Sequence, residues 1–154
     1  MNHKQAFLFT LTVFFCSAAP VAGLYAATSS PPPMERTEHQ WKGADRSSGF
    51  DALWSGTELK MIREEVAPAA GVIDKNEYTF NAGALLHYKQ DRYPAPGKSG
   101  ETVATMVSFD KTGKPVISMK RIDGKPAGPA SPEEIGQARK HLDELLAIAR
   151  KVKR

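Results

Sequence analysis

Cysteine is all but missing from this chain: Cys16 is the only one in 154 residues. It lies in LTVFFCSAAPVAGLYAA, residues 11–27, a run without charge. One thiol excludes an intrachain disulfide framework and a multi-cysteine zinc site, and without that run the chain has no thiol nucleophile either. Long apolar runs are just as scarce, because this is the only one. Lys4 precedes it as a positive n-region, residues 6–16 form an apolar core, and residues 17–27 are mostly small and contain Pro20, the pattern of a secretory signal peptide. We therefore expect residues 1–26 to be a leader cleaved near 23–26 and the rest to be periplasmic or secreted. The alternative is an uncleaved anchor: residues 6–27 are uncharged and long enough to span a bilayer, and they too would place the rest of the chain outside. Phe14 and Phe15 stand before Cys16 where lipidation requires a small residue, so the cysteine is read as part of the leader and not as a lipid site.

An excess of one charge is also lacking. Lys and Arg number 21 against 17 Asp and Glu, a net charge of +4, and the leader removes only Lys4. So mild a balance gives no electrostatic case for nucleic acid, and no such partner is expected. The surplus collects at the C terminus, in Arg150, Lys151, Lys153 and Arg154. There the cations complement the negative end of a helix dipole. The sharper reading of the same tail is contact with polyanionic envelope material, which would make the protein a membrane-surface accessory.

Motifs that carry chemistry are missing too. GKSG at 97–100 has Arg92 where a phosphate-binding loop needs a glycine. No nucleophile-elbow pattern accompanies His39, His87 or His141, and no two of these histidines are close enough in sequence to suggest a metal site. No metal and no cofactor are expected. A hydrolase of unfamiliar type using His87 or His141 stays open as an alternative, although strand alternation puts His87 on the face opposite Leu86 and Tyr88. The adjacent carboxylates Glu64 and Glu65 would point to opposite faces of a strand, and Glu133 with Glu134 suits a helix start.

What is present is a fold pattern. Residues 27–48 contain three consecutive prolines and few apolar residues, so they read as a disordered tether with Trp41 in it. Residues 49–154 read as a single α+β domain with a basic tail: a small antiparallel sheet of two or more hairpins covered by one C-terminal amphipathic helix. Residues 58–65 fit a strand, with Leu59 and Met61 alternating, or a helix, with Leu59, Ile62 and Val66 on one face; the strand is preferred.

Two hairpins are clearer. Tyr78 and Phe80 lead into a turn at Asn81 and Gly83, with Leu86 and Tyr88 returning; Val103, Thr105, Val107 and Phe109 lead into DKTG. Phe80 aligns with Phe109 and Gly83 with Gly113, a correspondence that two short turns of common composition also produce. Asp123 and Gly124 offer another turn, and the proline-rich KPAGPASP after it reads as a connector. Ser131, Pro132 and Glu134 form a capping box before a stripe of Ile135, Ala138, Leu142, Leu145, Ala149 and Val152.

The aromatic residues Trp54, Tyr78, Phe80, Tyr88 and Tyr93 suit a core or a binding surface equally, and Tyr78 and Phe80 are assigned to the core. Tyr93 beside Arg92, placed in a loop over residues 90–100, suits recognition, and Trp41 suits the domain's edge or a ligand. The sequence thus predicts an exported, non-catalytic domain that binds a protein or glycan of the bacterial envelope, with Tyr93, Arg92 and Trp41 as binding residues.

Overall fold

The computed structural model describes residues 32–44, 46–67 and 71–152, all within one compact unit, Pro31–Arg154. The expected leader and its cleavage site lie outside the described residues, as do Lys153 and Arg154. Eight strands run β1 Met34–Lys42, β2 Ser47–Ser55, β3 Glu58–Ala67, β4 Val72–Asn81, β5 Ala84–Pro94, β6 Val103–Phe109, β7 Pro115–Ile122 and β8 Lys125–Pro126; helix α1, Pro132–Val152, follows. Each strand pairs antiparallel with the next, so the sheet is a meander in chain order.

Alternation divides the sheet into two faces. Phe50, Ala52, Trp54, Ile62, Tyr78 and Val107 point inward and are buried, and α1 covers them with Leu142, Leu145 and Ala149. Burying such a leucine contributes about 1.5–3 kcal/mol, so the helix is the second wall of the core. The capping box forms as expected: the amide of Ser131 donates to Glu134 Oε2 at 2.7 Å, and the amide of Glu134 donates to Ser131 Oγ at 3.2 Å. Arg139 ties the helix to the β6–β7 turn by donating to the carbonyl of Gly113 and lying 4.5 Å over the Phe109 ring.

The β2–β3, β4–β5 and β6–β7 hairpins share one construction. Each carries a register shift just before a terminal aromatic: Trp54 pairs with Leu59, Phe80 with Leu85 and Phe109 with Pro115. The next residue of the returning strand, Lys60, Leu86 or Val116, is the extra one of a β-bulge. This settles the ambiguity over residues 58–65. They are a strand, and the bulge at Lys60 places Leu59 and Ile62 on one face at a spacing of three, which imitates a helix. Met61 is therefore not on the face of Leu59. By the same mechanism Leu86 turns outward and Leu85, not Leu86, packs on the core.

Three further expectations are corrected. Residues 34–42 are an edge strand of the sheet rather than tether: Thr37, His39 and Trp41 alternate inward, and His39 stacks on Phe50 at 4.9 Å. Polar Thr37 and His39 hide that alternation from a hydropathy reading. Tyr93 lies on β5, opposite Ile73, and not in a loop. The proline-rich connector begins as β8, a two-residue edge strand where Pro126 costs no interior ladder bond.

The β4–β5 turn falls on Ala82 and Gly83, with φ of 49° and 78°, while Asn81 ends the strand. An L-residue in the left-handed region is strained by roughly 1–2 kcal/mol. Ala82→Gly relieves that strain against a larger unfolded-state entropy, and we expect a gain of about 0.5–1 kcal/mol in urea unfolding. A loss of stability would show that the turn is held in some other way.

Candidate functional site

Two regions of this framework carry more chemistry than a core requires. The first is internal. Glu64, at an inward position of β3 between Ile62 and Val66, is 3% exposed. Its carboxylate accepts from Ser48 Oγ, from Asn76 Nδ2 at 2.9 Å and from His141 Nε2, which is 2.8 Å from both oxygens. An ionised carboxylate is acceptor-only, so Nε2 carries the proton. Burial pushes the Glu64 carboxyl up, but the hydrogen bonds of His141, Ser48 and Asn76 outweigh it and hold the group below its ordinary value of 4.5. The ring of His141 meets Trp41 edge-on at 4.7 Å, and the Trp41 indole N–H donates to Glu144 Oε2 at 2.9 Å.

Beside this network lies a cavity of about 160 Å³ between α1 and strands β4–β6, with Arg46, Gln90, Thr105 and Gln137 on its walls. Arg92 faces it and grips Asp74 with two hydrogen bonds, 2.7 and 3.2 Å. Tyr78 and Tyr88 stack across the strands at 5.2 Å, and burial pushes both phenols up, so they stay neutral. The lining is largely polar, and Asp74, Asn76, Gln137 and His141 on it are already paired, which suits a few ordered waters.

The second region is the outward face, which is divided. Over β1–β5 it is a lattice of opposite charges: Arg36 with Asp51 at 3.0 Å, Arg63 with Glu77 at 3.0 Å, Lys75 with Glu65 at 3.2 Å and Lys89 with Asp91 at 2.7 Å. Over β6–β7 it turns apolar. Met106 and Met119 pair across the strands, Ile117 lies opposite Ser108, and the bulge residues Leu86 and Val116 flank them. Their exposures run from 36% for Leu86 to 59% for Val116. Arg121, two residues beyond Met119 on the same side of β7, is exposed beside them, whereas Lys111 lies toward α1. The neighbouring carboxylates are engaged: Asp110 accepts from the amides of Thr112 and Lys114, and Asp123 from Thr102.

The three binding residues expected from sequence are not brought together. Trp41 is 8% exposed and packs against the helix, Arg92 faces the cavity, and Tyr93 lies on the outward face under Lys75, whose Nζ is 5.6 Å from the ring centre. Arg150 and Lys151 are exposed in the last turn of α1, where they complement the dipole. His87 is exposed and shares a 3.0 Å hydrogen bond with Ser108, its cross-strand neighbour. His141 has one nitrogen bonded to Glu64 and the other 4.0 Å from Glu144, while Ser48 bonds the carboxylate and not the imidazole. The sequence reading weighed Glu64 only as a neighbour of Glu65 on opposite faces of a strand; the signal for its buried network is a carboxylate at an inward position between two buried aliphatics. The same reading passed over Met106, Ile117 and Met119, whose signal is apolar residues on the solvent side of two consecutive strands.

Fold and faces together define an α+β domain in which a meander sheet closes over a C-terminal helix, with one outward half apolar. Among the described residues no helix is long and apolar enough to cross a membrane. Compared with protein-family models, curated proteins and solved structures, the chain matches none.

Proposed function

We propose that this chain is an exported, non-catalytic domain that holds a protein partner against the outward face of β6 and β7. The observation carrying this reading is the cluster of Met106, Ile117 and Met119, with Leu86 and Val116, on a face that is elsewhere covered by ion pairs. Contiguous exposed apolar surface with a polar rim is how soluble proteins mark a docking site. Arg121, exposed beside Met119, calls for a partner that is apolar at its centre with an acidic group at that edge. A protein is favoured over a glycan because sugar binding uses exposed aromatic platforms, whereas Trp41, Trp54, Tyr78 and Tyr88 are buried and the half-buried ring of Tyr93 lies under Lys75. The hydrolase alternative gains nothing from His141, whose imidazole is held between two carboxylates, or from His87, whose serine contact lacks a third, orienting group among the described residues.

Ile117→Asp tests this reading. Ile117 is 57% exposed, so unfolding free energy should change by about 0.5 kcal/mol or less. Partners of the wild type are to be captured from envelope extract by cross-linking, identified, and rebound as purified proteins. Affinity for the variant should drop about 30-fold, the equivalent of one interface hot spot of 2 kcal/mol, and rising salt should weaken the wild type. Equal affinity of both forms would refute the site.

A further inference from the structure

The two edges of the sheet are protected very differently. β7 is met by β8, and Lys120 exchanges backbone hydrogen bonds of 2.8 Å with Ala127 and Gly128. The remainder of that edge is interrupted by Pro115 and the bulge at Val116. Proline, a bulge and a covering segment are devices that stop a sheet edge from pairing with another chain. β1 has no proline and no bulge, and helix α1, which packs against it, meets it through the inward-facing Trp41. β1 runs for nine residues without a register shift against β2, and among the described residues no strand lies on its outer side. Its outer edge therefore presents amide and carbonyl groups ready for another strand.

The sequence of β1 is complementary to itself when two copies pair about Thr37. When two copies run antiparallel with Thr37 on a two-fold axis, Arg36 of each faces Glu38 of the other. Both side chains stand on the outward face, 59% and 76% exposed, and they attract each other within the strand at 3.3 Å. Centring the axis on Arg36 or on Glu38 would instead set like charges directly opposite, which is unfavourable in an antiparallel pair. Centring on Gln40 sets Glu38 against Lys42 but pairs only residues 38–42, against 34–40 about Thr37, so charge and ladder length together select the Thr37 register, and a two-fold interface satisfies both copies with the same contacts.

We propose that β1 is a dimerisation edge: two copies of this chain pair β1 to β1 about Thr37 and join their sheets into one continuous sheet. The apolar halves then lie at its opposite ends, so the dimer presents two partner surfaces. The dimer itself does not depend on what binds there.

Sedimentation velocity over a wide concentration range, on protein purified from cells expressing the full chain, tests this. The wild type should sediment as a dimer. Glu38→Arg sets a second guanidinium against Arg36 of the other copy at two symmetric points while leaving a cation beside Asp51, and it should weaken the dimer roughly tenfold or more. The exchange Arg36→Glu with Glu38→Arg restores opposite charges across the axis, and the dimer should return. Ile117→Asp, at the other end of the sheet, should leave the mass unchanged, which separates this proposal from the partner site. Thermal melts confirm that each variant is folded. A wild type that is monomeric throughout, a dimer indifferent to Glu38→Arg, a folded double variant that stays monomeric, or a dimer broken by Ile117→Asp would overturn the proposal.

Discussion

Glu64→Ala should cost about 3–5 kcal/mol of unfolding free energy in urea, the range for breaking a buried pair by deleting one partner. The loss has several sources. His141, Ser48 and Asn76 each lose their acceptor, and a buried donor left unpaired costs about 1–3 kcal/mol. Glu64→Gln should lose less, since its amide oxygen still accepts. Acid should reproduce part of the effect in the wild type. The folded carboxyl titrates below its ordinary value of 4.5, so its contribution is complete above that pH and disappears as the pH falls through the lowered folded value. Wild type should therefore lose more stability on acidification from neutral pH than Glu64→Gln does. A Glu64→Ala loss under about 1 kcal/mol would mean the network is ornamental.

Leu145→Ala should cost about 2–5 kcal/mol, the range for truncating a buried leucine. Leu145 is fully buried at the centre of the helix–sheet interface, among the largest side chains with no solvent contact. Val152 makes the matching control. It continues the same apolar stripe but is 66% exposed, so Val152→Ala should change stability by about 0.5 kcal/mol or less. Equal effects at the two positions would show that the helix is not seated as described.

How much of this was legible beforehand varies with the physics of each element. The helix was, because its cap, first-turn acids and apolar stripe are all local signals. The hairpins at residues 78–88 and 103–122 were legible from alternation and turn glycines. A third hairpin of the same construction, Trp54 through Gly56 to Leu59, was not, because the bulge at Lys60 shifts the returning strand by one residue and breaks the period on which the reading depends. Strand β1 was hidden because its inward positions hold Thr37 and His39; burial pushes the His39 imidazole below its ordinary value, with Asp51 opposing, but such a residue looks solvated in a linear text. Of the candidate site, Arg92 and Tyr93 were singled out for their neighbourhood in sequence. Strand alternation then sent one to each face. Met106, Ile117 and Met119 were passed over because an apolar residue on a strand reads as core until both faces of its sheet are known.

The covering helix is made after the whole of the sheet that it covers. Ribosomal synthesis proceeds from the N terminus, so Ile62, Tyr78 and Val107 emerge well before Leu145 and Ala149 arrive to shield them. No cooperative core can close until α1 is free to pack. A nascent chain of this design therefore completes its fold only after the helix has been made.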